Sequence, residues 1–147
     1  MTSEQLKSDL VELLRLNLDD LNLLLAMQAV TVEEEISEWY ESQVADRKLL
    51  IAELDALIHD VDAQYDEASF QELVDRVHRP DPEAEKLSIN PLIKQSKFHA
   101  RSALRKYNQL INDASQVTKL QFVVQNHVKK LQGYLQDLEA REKQIAS

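Results

Sequence analysis

One glycine, Gly133, three prolines, Pro80, Pro82 and Pro91, and no cysteine occur in 147 residues. Tight turns are where glycine and proline are used, and an α/β or all-β domain needs many of them. So few turn formers exclude those classes and leave a chain of few, long elements. Without cysteine, neither a disulfide framework nor a thiolate metal site can form, which suits a reducing cytosol. No apolar run approaches the roughly 18 residues of a membrane span, and the opening "MTSEQLKSDL" lacks a basic-then-apolar signal pattern. The expectations are a cytoplasmic protein with no membrane insertion.

What the chain does contain is Leu, Glu, Gln, Asp, Lys and Ala, most of them good helix formers. The expected fold is all-α. Net charge is −9, with an uneven distribution: residues 1–87 carry a balance of −15 and residues 88–147 a balance of +6.

From Met1 to Arg79 no glycine or proline interrupts the chain. Ile36, Tyr40, Gln43, Arg47, Leu50, Leu54, Leu57 and Val61 alternate steps of four and three, the spacing of one helix face. Thr31 and Glu34 match a capping box that would start a new helix. Leu21, Leu25, Val32 and Ile36 nevertheless keep the face aligned across that point, so one continuous helix over about 3–63 is expected. Ser69 and Glu72 repeat the capping-box spacing ahead of Phe70, Leu73, Val74 and Val77, which predicts a short helix over 69–78. The stretch "HRPDPEAEKLSINP" then reads as a linker over 79–90. Asn90 suits an N-cap and Pro91 the first helical position. A seven-residue repeat follows through Ala103, Leu110, Val117, Val124, Leu131, Leu138 and Ile145, predicting a second long helix over 91–145. Together these give a long antiparallel helical hairpin or coiled coil, with a short extra helix and a proline-containing linker between its two long helices. A turn centred near residue 77 sets the cations of 94–106 against the acids of 48–60, and Leu24–Val30 against Leu120–Val124.

Catalytic signatures are missing. There is no glycine-rich phosphate loop and no serine–histidine–carboxylate spacing. Asp55, His59, Asp62 and Asp66 share a helix face, but the Glu-x-x-His pair of the di-iron bundles is absent. No enzyme activity, no metal and no cofactor is expected. The run "KQSKFHARSALRKY" mixes cations with aromatics, yet in a chain of pI 4.9 it reads as an internally paired or solvated face, and no nucleic-acid partner is expected. The surplus of apolar surface is more informative. "LNLDDLNLLLAMQAV", residues 16–30, is apolar on more sides than one neighbouring helix can cover, and such excess marks contact with a further helix.

The stretch "ISEWYESQVADRKLLIAELDALI" resembles the flagellar export chaperones of the FlgN type. Glu33 to Glu35, Ile36 and Trp39, the Arg47 and Lys48 pair, Leu49 and Leu50, then Leu54 and Leu57 are similar to that family's pattern, preceded by the leucine-rich Leu13 to Leu25. "RSALRKYNQLINDA" is similar to its second stretch, in Asn108, Leu110 and Ile111. The resemblance covers about a third of the chain. It implies a cytosolic, non-enzymatic chaperone that holds the terminal helices of hook-associated proteins before export, with cargo taken near Val117 to Leu138. The competing expectation is a structural coiled-coil adaptor or tether subunit of a larger helical complex. Either way the expected partner is a protein, through amphipathic helices of a client, a partner subunit or a second copy. The candidate contact residues are Leu18, Leu23, Leu25, Val30, Trp39, Leu120, Phe122, Val124, Val128 and Leu131.

Overall fold

The computed structural model describes residues 2–31, 34–62, 64–77, 89–114 and 117–146. Among these every regular element is a helix: α1 Ser3–Val30, α2 Glu34–Val61, α3 Glu67–Val77, α4 Ile89–Asp113 and α5 Thr118–Ala146. All-α architecture with antiparallel helix pairing is as the composition and periodicity predict. The number of long helices is not: each of the two expected long helices is divided, and the result is a bundle of two hairpins with α3 beside it.

The first division falls at Thr31. Val30, Thr31 and Val32 form a β-branched run, poor in helix propensity. Thr31 leaves the helix with extended backbone (φ −94°, ψ 124°) and becomes the C-cap, its hydroxyl donating to the Met27 carbonyl at 2.7 Å. The second division follows α4, where the Gln121 side-chain amide donates to the carbonyls of Ile111 (2.8 Å) and Ala114 (2.9 Å) and so satisfies the open end of the helix. Val117, counted in the seven-residue repeat, is exposed at this corner. At the start of α1, Thr2 and Gln5 form a reciprocal capping box, 3.1 and 3.0 Å, at the T-x-x-Q spacing of a helix start.

Two further starts shift. α3 begins at Glu67 rather than Ser69, with Asp66 ahead of it accepting the Phe70 N–H on its carbonyl at 3.1 Å. α4 begins at Ile89, so Asn90 lies inside it; Pro91 still sits in the first turn, where no N–H needs an intrahelical partner. Residues 79–88 of the expected linker, with His78, lie outside the described residues, and 89–90 belong to α4.

Neighbouring helices among α1, α2, α4 and α5 run antiparallel. α1 packs on α2 and on α4, α4 on α5, and α5 closes the circuit against α2 in the loosest of the four contacts. α1 and α5 therefore lie diagonally, as do α2 and α4. Phe70 and Val74 of α3 add to the core alongside α1. α2 ends where Asp62 meets Lys7, whereas α4 starts at the other end, beside Met27 and Tyr40.

The apolar excess of α1 is accounted for by this placement. With α2, α4 and α3 around it, Leu10, Leu13, Leu14, Leu18, Leu21, Leu23, Leu24, Ala26 and Met27 are all buried. The predicted juxtaposition of Leu24–Val30 with Leu120–Val124 does not occur. Leu23, Leu24 and Met27 pack with Tyr40, Leu92, Ile93, Tyr134 and Leu138 at one end, while Leu120 and Val124 join Leu10, Leu13, Leu54 and Leu110 at the other. The cations of 94–106 likewise face α1 and α5 instead of 48–60. Lys106 pairs with Asp9 (2.8 Å), Lys97 with Glu142 (2.9 Å) and Arg101 with Glu139 (3.2 Å).

Candidate functional site

Between the two apolar compartments lies a layer of buried polar side chains, arranged as two stacked rings with one residue from each main helix. In the first, Asp20 of α1 accepts from Arg47 of α2 and from the Ser96 hydroxyl of α4 (2.5 Å). Ser96 lies 2.6 Å from the Tyr134 hydroxyl of α5, and the Arg47 guanidinium sits 4.9 Å above the Tyr134 ring, closing the circuit. Since Ser96 uses its proton on Asp20, Tyr134 must donate to Ser96. All four side chains are buried.

Burial works against the charged guanidinium of Arg47, but the adjoining Asp20 carboxylate outweighs it and holds the arginine above its ordinary value. Burial, reinforced by Asp20, pushes the Tyr134 phenol well up, so it remains a donor.

In the second ring Asn17 of α1 donates to the Leu13 carbonyl (2.9 Å) and to the Tyr107 hydroxyl of α4 (3.1 Å). Tyr107 lies 2.8 Å from His127 Nδ1 of α5. The His127 Nε2 faces Glu53 Oε1 of α2 at 3.5 Å. The Leu13 carbonyl can only accept, so the amide orientation of Asn17 is determined, Tyr107 accepts from it, and the phenol proton goes to His127. That leaves the neutral imidazole protonated at Nε2, toward Glu53. Burial first, then the charges of Lys130 and Arg47, lower the His127 pKa to about 4. Burial likewise raises the Tyr107 phenol.

Apart from Glu53, which is partly exposed, the members of these rings are buried, and their effect is on assembly. A buried ion pair gains little net stability, but leaving one member unpaired is costly, so each ring disfavours every register or helix exchange that separates its members. The sequence sets Arg47 on an apolar seam but does not pair it with Asp20, Ser96 and Tyr134, nor Asn17 with Tyr107 and His127. The available signal was a polar side chain recurring on a face that is otherwise apolar.

The α2–α5 edge is built differently from the other three. It is bridged by Trp39 Nε1 donating to Asp137 (3.0 Å) and by the ion pairs Lys119–Asp60 (2.6 Å) and Lys130–Asp46 (3.9 Å), while His127 Nε2 faces Glu53 without a hydrogen bond. Trp39 stacks on Tyr134 with ring centroids 5.9 Å apart. Beside it Ile36, Asp137, Ala140, Arg141 and Gln144 complete a shallow pocket of about 200 Å³.

The expected contact residues fall into three groups. Leu18, Leu23, Leu120, Val124 and Leu131 are core residues, covered by the chain's own helices. Leu25 and Val128 are partly buried against the core, and Trp39 is half-buried at the α2–α5 edge. Only Val30 (37% exposed) and Phe122 (79%) present substantial apolar surface. Of Asp55, His59, Asp62 and Asp66 only Asp55 and His59 approach each other, at 3.7 Å; Asp62 pairs with Lys7 and accepts the Gln64 N–H, and among the described residues no cluster of three or more acids and histidines is placed to hold a metal. No described helix is long and apolar enough to cross a membrane. No family model, curated protein or solved structure matches the chain.

Proposed function

We propose that the protein is a non-enzymatic, cytoplasmic helix-binding protein, an export chaperone similar to those that hold the terminal helices of flagellar hook-associated proteins. The observation that supports this reading is the α2–α5 edge. Two hairpins are joined firmly through α1 and α4 but more loosely along α2 and α5, by a few polar bridges and the contacts of Trp39 and Arg47 with the Tyr134 ring. Parting that edge opens a groove between the two hairpins over the apolar core, the shape an amphipathic client helix requires. The pocket beside Trp39 marks one end of the groove.

Trp39 is the chain's only tryptophan, so its emission reports this edge directly. A peptide carrying the terminal helix of a hook-associated protein is expected to shift that emission and to bind saturably. A bifunctional cross-link between Asp60→Cys and Lys119→Cys is expected to abolish both effects by holding the edge shut. Absence of binding by the uncross-linked protein would retire the chaperone reading.

The alternative, a structural adaptor or tether subunit, draws on a different observation: the apolar excess of α1 is already covered by its own chain. An adaptor would form a constitutive complex through outward faces, and the same cross-link would leave that complex intact.

A further inference from the structure

On the side of the bundle away from α2, the solvent face of α4 presents Lys94, Phe98, Arg101 and Arg105, at steps of four, three and four. Phe98 is 64% exposed, a large apolar ring at the centre of the cations. The opposite face of α4, from Leu92 through Ala100 to Leu110, is buried, so the stripe is held on a rigid helix. It runs for roughly 17 Å, about three helical turns.

What surrounds the stripe restricts its occupant. Along one side α1 supplies Glu12, 3.6 Å from Lys106, and Asp19, whose field reaches His99. Along the other α5 supplies Glu139 and Glu142, in contact with Arg101 and Lys97. A membrane surface or a nucleic-acid duplex would overlap these acidic borders and be repelled by them, in a chain that already carries −9. A single helix is only about 10–12 Å across and lies within the stripe. The Arg101–Glu139 pair is about half exposed on both sides, so exchanging Glu139 for a partner carboxylate costs little.

We propose that this stripe docks one amphipathic helix of a partner protein, acidic along the contacting face around an apolar residue that meets Phe98, and basic along its two flanks. The site is separate from the α2–α5 edge and does not depend on the chaperone reading.

The test uses the full chain and a fluorescein-labelled helical peptide of about 18 residues, with glutamates around a central leucine and lysines on both flanks, read by anisotropy. Binding is expected to weaken about tenfold in Lys94→Glu/Arg105→Glu and about fivefold in Phe98→Ser. It should also weaken as salt rises. A second peptide with glutamate flanks is expected to bind about fivefold less tightly. All substituted positions are exposed, and unchanged helix content by circular dichroism verifies the fold. The proposal is overturned if the first peptide fails to bind, if the variants bind it as well as the parent, or if the flank charges make no difference. It is equally overturned if phosphatidylserine vesicles or duplex DNA compete for the stripe as effectively as the peptide.

Discussion

The Tyr107 hydroxyl and His127 Nδ1 stand 2.8 Å apart in the core, and because Tyr107 already accepts from Asn17, the proton between them belongs to the tyrosine. The imidazole is therefore held neutral, with its pKa lowered to about 4 by burial. In the unfolded chain it titrates near 6.5. Between those values the unfolded chain holds a proton that the folded chain does not, so stability rises with pH across the window. From pH 6.5 down to 5 this group is expected to remove about 1–2 kcal/mol. Urea midpoints of the wild type and His127→Gln across that range should show it, with the slope flatter in the variant.

Separating Asp20 from Arg47 should be among the most damaging single changes. Arg47→Met leaves a buried carboxylate with only Ser96 as donor, and about 3–5 kcal/mol of stability should be lost. Asp20→Leu combined with Arg47→Met removes both charges and is expected to recover a good part of that loss. Chemical denaturation of the two single variants and the double variant measures the coupling.

Leu120 and Phe122 are two residues apart and should respond in opposite ways. Leu120→Ala opens a cavity in the core and is expected to cost about 2–5 kcal/mol. Phe122→Ser exchanges an exposed ring for a small polar group and should stay within about 0.5 kcal/mol. Equal losses at the two positions would contradict the orientation of α5.

Gln121 holds the corner between α4 and α5 through two carbonyls. Gln121→Ala is expected to cost about 1–2 kcal/mol and to increase amide hydrogen exchange at the end of α4 before anywhere else.

Much of this architecture was legible in the sequence. The rows Leu50, Leu54 and Leu57 and Ala103, Leu110, Val124, Leu131 and Leu138 face the core as their spacing predicts, and Phe70 and Val74 of the short helix do the same. The two corners were hidden because the apolar rows keep phase across them: Leu21, Leu25 and Ile36 align through Thr31, and Leu110, Val117 and Val124 align through the second corner. Periodicity records which face is apolar, not whether the backbone between two such faces is continuous. The polar rings were hidden for another reason. A lone Asn17 or His127 on an apolar face reads as an imperfection until the helices bearing Tyr107 and Glu53 are known to lie beside it.

Ring closure also has a consequence in time. Asn17 and Tyr107 are 90 residues apart and Asp20 and Ser96 are 76 apart, and both rings take a further member from α5, so neither ring can form until α4 and α5 have left the ribosome. At synthesis rates of roughly 5–20 residues per second, α1 waits several seconds for α4, with part of its apolar surface still uncovered. During that interval the nascent chain itself carries an apolar helix in need of a neighbour, and it is then most exposed to aggregation or to capture by a holding factor.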